Sequence, residues 1–276
     1  MKEEIKKHLD GGFELALYEA ALKNLDGNEN PLRFNNFAYA FRELTRHILH
    51  RLAPDKEVIQ CSWYVNETDQ KNGVTRKQRA YYATQGGLSD EYISETLGLD
   101  AAEIHTELVR AITKLNKFTH IQEKTFGIPN KQVEELAEET LEAVHAFLAL
   151  IRECRDSIIE RVWETVNNEV IGETIRETLL AIDELATHHT VDAVHTEEVA
   201  ITKITNDSLI FLGSGSIDCE LQWGSNSDLR NGIGATLEEN FPFSCQLSSP
   251  IDDPENISIG EESIMVDTSS WYGEEA

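Results

Sequence analysis

Residues 33–52, RFNNFAYAFRELTRHILHRL, decide the first half of the fold. Phe37, Phe41, Leu44, Ile48 and Leu52 recur at spacings of three and four, which puts them on one face of an α-helix. Pro31 suits the start of this helix and Pro54 soon ends it. An apolar stripe of this kind must be buried by partner elements, and the flanking sequence supplies them. Residues 2–25 read as helix restarted at Gly11-Gly12, with Leu15, Tyr18, Leu22 and Leu25 at helical spacing. Segment 57–65, EVIQCSWYV, reads as a short strand or an irregular buried piece. TRKQRAYYATQGG (75–87) predicts a helix stopped at Gly86-Gly87, and Ser89 an N-cap for the next short helix. Asp100 is the expected cap of a helix over 101–120, with Ile104, Leu108, Ile112 and Leu115 inward.

Residues 131–187 predict one or two long helices, with Gly172 marking a break. After about residue 190 the period changes from helical to alternating. HTEEVAITKI, DSLIFLGSG and SIDCELQWGS read as three β-segments, and FPFSCQLSS as a further strand. In the third, Ile217, Cys219, Leu221 and Trp223 alternate with Asp218, Glu220 and Gln222, the pattern of a half-buried strand. SNSDLRNGIGA reads as loop. The expected fold class is therefore α+β, a large helical domain followed by a small β-rich domain. The expected division is a helical domain of mixed charge over 1–130 and long connecting helices over 131–189. An acidic β-rich domain follows over 190–250, then an acidic, partly mobile segment over 251–276.

Charge is distributed unevenly. The chain carries a formal net charge of −26. Residues 1–130 hold 17 Lys and Arg against 19 Asp and Glu, whereas residues 131–276 hold 7 against 31. The second half repels a phosphate backbone, so RNA or DNA is expected on the first half. The acidic half suits a basic protein partner, and suits simple solubility as well. No apolar run approaches the ~18 residues of a membrane span, and the N-terminus lacks the apolar core of a signal peptide. A cytoplasmic protein with no membrane association is expected. Cys61, Cys154, Cys219 and Cys245 form no CxxC pair and read as free thiols. There is no P-loop, GxGxxG, HExxH or GxSxG motif, which argues against an ATPase or an α/β-hydrolase.

Three groups of residues could carry chemistry. Arg42 and His47 are the first catalytic candidates: imidazole can move a proton and guanidinium can hold a phosphate, with no cofactor. Five positions turn a helix by ~500°, so the two lie about 140° apart and do not share a narrow face. Arg46 and His50, four apart, do. A merely solvated basic helix face is the plain alternative. The second group is Asp218, Glu220 and Gln222, which with Asp207 or Asp228 could hold Mg²⁺. The competing reading is a solvated strand in an acidic domain. The third is the basic patch Arg76, Lys77 and Arg79 beside Tyr81 and Tyr82, extended by Lys114 and Lys117, which could grip a nucleic-acid backbone and stack a base. His188 and His189 fit no ligand motif.

The stretches RFNNFAYAFRELTRHILHRLAPDKEVIQCSWY (33–64), TRKQRAYYATQGGLSDEYI (75–93) and LNKFTHI (115–121), with ELQWGSNSDLRNGIG (220–234) and FPFSC (241–245), resemble a known family. It is the predicted nuclease family associated with prokaryotic Argonaute-like (pPIWI) proteins of antiphage gene clusters. The resemblance covers most of the chain and implies a nuclease of a defence system with a protein partner. The Arg42–His47 spacing is also similar to the R-x4-6-H signature of HEPN ribonucleases, which are metal-independent. That similarity implies that Arg42 holds phosphate, that His47 assists 2′-hydroxyl attack, and that a homodimer completes the cleft. Here, however, the motif lies near the N-terminus and Glu43 follows Arg42 where a small or amide residue is usual. The preferred reading is a nuclease. The alternatives are a non-catalytic accessory subunit that binds a partner protein or nucleic acid, and a purely structural scaffold.

Overall fold

The computed structural model describes residues 1–27, 29–176 and 179–273. The architecture is α+β. The chain forms two compact units, Met1–Asp156 and Ser157–Ala276.

The first unit is helical. It holds α1 (Lys2–Lys7), α2 (Phe13–Asp26), α3 (Arg33–Leu52), α4 (Asp55–Val58), α5 (Arg76–Gln85), α6 (Ala101–Thr119) and the first part of α7 (Asn130–Arg176). The stripe on α3 is the centre of its core: Phe37, Phe41 and Leu44 are fully buried, and Phe34 and Ile48 nearly so. They cluster with Tyr18 and Ala21 of α2, Ala80 and Ala83 of α5, Leu108, Ile112 and Leu115 of α6, and Leu141, Val144 and Phe147 of α7. Residues 57–65 form no strand; α4 occupies their start, and Cys61, Trp63 and Tyr64 pack in a satellite cluster with Ala53, Val58 and Tyr82. Helix α5 starts on a capping box. Thr75 Oγ1 accepts the Gln78 N–H and Gln78 Oε1 accepts the Thr75 N–H. It ends at Gly86, whose φ of +58° suits a residue without a Cβ. The short helix after Ser89 forms as a π-helical turn, Tyr92–Thr96, and the Ser89 hydroxyl accepts the Tyr92 N–H. Asp100 occupies the cap position of α6 without a side-chain capping bond. Gly172 does not break α7, which stays helical to Arg176.

One buried base sits in this core. His105 is fully buried, its Nε2 lies 2.9 Å from Thr84 Oγ1, and Tyr81 and Phe147 flank its ring. Burial, with Lys77 adding to it, pushes the imidazole down to about 4. The folded chain therefore keeps His105 neutral where the unfolded chain, near its ordinary 6.5, takes a proton. Stability from this group is complete above about pH 6.5 and is lost as pH falls toward 4. About 2 kcal/mol should be gone by pH 5. Unfolding free energies from urea titrations at pH 7 and pH 5 should differ by that much more in the native chain than in His105→Gln.

The second unit contains the remainder of α7, then α8 (Leu180–Asp183), β1 (His188–Ile204), β2 (Ser208–Trp223), α9 (Asn226–Arg230), β3 (Ala235–Pro250) and β4 (Ser258–Val266). The strands form an antiparallel meander in the order β1-β2-β3-β4. Leu209, Phe211, Ile217, Cys219, Leu221, Phe241, Phe243, Cys245 and Leu247 alternate inward and are buried. Ile158, Val162, Val166 and Val170 of α7, every fourth residue, are fully buried too. DSLIFLGSG and SIDCELQWGS, expected as two strands, are one continuous β2. The glycines that read as a turn serve a different end. Gly215 stands opposite Thr196, where β1 bulges between Thr196 and Glu198, and a Cβ there would run into the carbonyl oxygen of His195. Gly215→Ala should cost about 1–3 kcal/mol or more, read as a lowered Tm of the sheet signal in circular dichroism. The expected loop 225–235 contains α9, started by a capping box between Ser225 and Asp228. Within 251–273, expected to be partly mobile, β4 pairs with β3 and Trp271 stacks on Trp223; residues 274–276 lie outside the described residues. All four cysteines are buried free thiols. Among the described residues no helix is long and apolar enough to cross a membrane.

Candidate functional site

Opposite its buried face, α3 carries a polar stripe. Tyr39, Arg42, Glu43, Arg46, His47 and His50 recur at the three- and four-residue spacing of one helix side. Arg42 and His47 occupy its two edges, and Glu43 and Arg46 fill the space between. Glu43 Oε1 accepts from Arg42 Nη2 at 2.6 Å, and Glu43 Oε2 from Arg46 Nε at 2.9 Å. Arg42 first, and Arg46 with it, hold the Glu43 carboxyl below its ordinary range. Arg46 Nη2 then lies 3.4 Å from His47 Nε2, the reach of an N–H donated to an unprotonated ring nitrogen. The structure thus places Arg46, not Arg42, beside His47. Arg42 turns toward Thr119 of α6, its Nη1 being 3.5 Å from Thr119 Oγ1.

Two exposed aromatic rings flank the stripe. Tyr39 is 57% exposed and lies under the Arg42 guanidinium at 5.7 Å; Phe13 is 62% exposed and meets the His47 ring edge-on at 5.0 Å. Phe13 opens α2, and a pair one residue on holds α2 in place. Arg51 of α3 donates from Nε and Nη2 to the buried carboxylate of Glu14, both at 2.9 Å. Burial alone raises the Glu14 carboxyl, and Arg51 with the Asp10 N–H outweighs it, so the net shift is downward.

The other sequence candidates are scattered. Arg76 and Lys77 are exposed on α5, but Arg79 is buried. Its guanidinium pairs with Asp55 at 2.5 Å and donates to the Ala53 carbonyl at 2.8 Å, so it ties α5 to the end of α3 and is not free for a phosphate. Lys114 is ion-paired with Glu139, while Lys117 is exposed.

In the second unit, Asp218, Glu220 and Gln222 share the outer face of β2, as their alternation implies. Asp207 does not join them. It sits in the β1–β2 turn, where it accepts from the Thr205 and Ser208 hydroxyls, about 36 Å of strand from Asp218. Asp228 caps α9, and Gln222 donates to the Gly224 carbonyl. Among the described residues no three His, Cys, Asp or Glu side chains form a group that could hold a metal ion. Instead, Asp218 is held by His195 Nε2 at 3.0 Å and by Asn240 Nδ2 at 2.6 Å. His189 pairs with Asp183 at 2.6 Å.

Two family models match the chain, one over residues 6–144 and one over 151–272, and both are described as predicted pPIWI-associating nuclease. The chain belongs to that family. No curated protein and no solved structure matches it. The α3 stripe lies within the first match, and the His195–Asp218–Asn240 group within the second. Sequence reasoning missed Tyr39 and Phe13 at the stripe. Tyr39 was legible, three residues before Arg42. Phe13 was not, because its place beside His47 depends on how α2 packs. His195 and Asn240 had no signal either, since strand register decides which residues face Asp218.

Proposed function

We propose that this protein is a nuclease of an antiphage system that cleaves single-stranded RNA at the α3 stripe, in association with a pPIWI protein. The observation that carries the reading is the Arg46–His47 pair, 3.4 Å apart, with Arg42 sharing Glu43 at the stripe's other side. A phosphodiester offers the two guanidinium groups the same oxyanion geometry as Glu43 and competes with it. As Arg46 turns to the phosphate, His47 Nε2 is released to accept a proton. It takes the proton of the ribose 2′-hydroxyl, the 2′-oxygen bonds to phosphorus, and the bond to the 5′-oxygen breaks. The leaving 5′-oxygen takes up a proton, and a 2′,3′-cyclic phosphate remains. Tyr39 and Phe13 supply rings on which flanking bases stack. No metal enters this route. The family description supports the nuclease class and the pPIWI partner.

A second reading follows from charge. With 4 Lys and Arg against 24 Asp and Glu over residues 157–276, the second unit suits a basic surface of a partner protein, as in an accessory subunit. Labelled single-stranded RNA and double-stranded DNA, each with Mg²⁺ and with EDTA, separate the readings. RNA cleavage that persists in EDTA supports the α3 site. Metal-dependent cleavage lost in Asp218→Asn or Glu220→Gln moves the chemistry to the sheet. No cleavage, with stable binding to the partner, favours the accessory subunit.

A further inference from the structure

Between the extended segment after α4 and one side of α5 lies a recess of about 210 Å³, lined in part by Trp63, Glu67, Lys77, Gln78, Tyr81 and Asp90. That is less than the ~300–1,000 Å³ of pockets for drug-sized ligands and suits one flat ring system. Its walls are set before any ligand arrives. Trp63 Nε1 donates to the Gly86 carbonyl at 2.9 Å, and the Trp63 and Tyr81 rings meet edge-on with centroids 4.9 Å apart. The Gln78 side chain is fixed in place by one N–H donated to the Val65 carbonyl and by the Thr75 N–H that its Oε1 accepts, so it shapes the recess. The groups that remain for a ligand are the Glu67 carboxylate, the Asp90 carboxylate, whose Oδ1 takes a long hydrogen bond from Gln85 Nε2 at 3.4 Å and whose Oδ2 is left, and the exposed ammonium of Lys77, with Arg76 next to it on the α5 surface.

Aromatic walls, an acceptor and a rim of cations are the chemistry of an unstacked nucleotide. Ionised carboxylates only accept hydrogen bonds, which selects among the bases. Guanine presents two adjacent N–H donors on its pairing edge. Adenine and cytosine each place an acceptor beside their amino group, and uracil flanks its one N–H with carbonyls, which a carboxylate repels. We propose that this recess binds one unpaired guanine nucleotide of a nucleic-acid strand. Asp90 takes the donor edge, Trp63 and Tyr81 hold the ring, and Lys77 and Arg76 face the phosphate. The proposal rests on nucleic acid as the ligand class of the function above, but not on cleavage, so binding alone tests it.

The test is titration of the full chain with GMP, AMP, CMP and UMP, read by tryptophan fluorescence and by equilibrium dialysis. GMP should quench saturably and bind at least about tenfold more tightly than the other three. The quench should vanish in Trp63→Phe. Asp90→Asn, at an exposed position and with a side-chain oxygen kept for Gln85, should erase the preference for GMP in dialysis, and Lys77→Ala should weaken all four nucleotides alike. The proposal is overturned by no saturable binding of GMP, by equal binding of GMP and AMP to the native chain, or by an undiminished GMP preference in Asp90→Asn. Loss of RNA cleavage with retained GMP binding would sink the nuclease reading and leave the recess standing.

Discussion

His47→Ala should slow single-stranded RNA cleavage by about 10²–10⁴-fold, the usual worth of a positioned general base. That corresponds to roughly 3–5 kcal/mol of transition-state stabilisation. Arg46→Ala should fall in the same range, because it removes the guanidinium nearest the imidazole and, on the proposed route, the charge that meets the phosphate. Arg46→Lys should recover only part of the loss, since an ammonium cannot offer two parallel N–H donors. Folding should be nearly unaffected. His47 makes its ring contact with Phe13, which is 62% exposed, so little buried area is lost. Glu43→Gln gives the opposite test. Freed of their carboxylate, Arg42 and Arg46 should bind RNA more tightly, lowering KM. Initial rates in EDTA, with Tm measured beside them, check all four variants. Wild-type rates in His47→Ala would remove the α3 stripe from the chemistry.

Phe41→Ala should destabilise the helical unit by about 3–5 kcal/mol. Phe41 has no exposed surface, stacks on Phe37 with centroids 5.0 Å apart, and meets Tyr18 of α2 at 6.2 Å. Truncation removes the transfer energy of the ring and leaves a cavity among three helices that cannot close over it. Against a total stability of about 5–15 kcal/mol, a large share is lost. For a unit of this size, each kcal/mol lowers Tm by about 2–4 °C, so a fall of roughly 10 °C is expected in the helical circular dichroism. Phe41→Leu keeps most of the volume and should lose far less. A shift of under 2 °C for Phe41→Ala would show that α3 is not the centre of the core.

The sequence by itself determined the elements whose pattern repeats. The three- and four-residue spacing of Phe37, Phe41, Leu44 and Ile48 placed α3 and its buried face, and Ile217, Cys219 and Leu221 alternating with Asp218 and Glu220 placed β2 and its two faces. Both are local consequences of backbone geometry, 3.6 residues per turn and two per pleat, so no other part of the chain is needed to read them. The charge division between the halves was equally plain. The stripe of α3 was half legible for the same reason: its residues share a helix.

Only the tertiary structure decided which of those residues work together. Arg42 and Arg46 look alike in sequence, but α6 offers Thr119 to Arg42, while Arg46 stays on α3 between Glu43 and His47. Arg79 read as part of a surface patch, yet Asp55 and the Ala53 carbonyl, beyond the end of α3, draw it inside. Gly213 and Gly215 read as a turn because glycine weakens an isolated strand, and pairing with β1 and β3 on both sides outweighs that local cost. Asp218 acquired His195 and Asn240 through strand register, a relation between segments more than twenty residues apart. Periodicity belongs to one element at a time, whereas a site is made where elements meet, and the free energy that fixes those meetings comes from packing that no single segment contains.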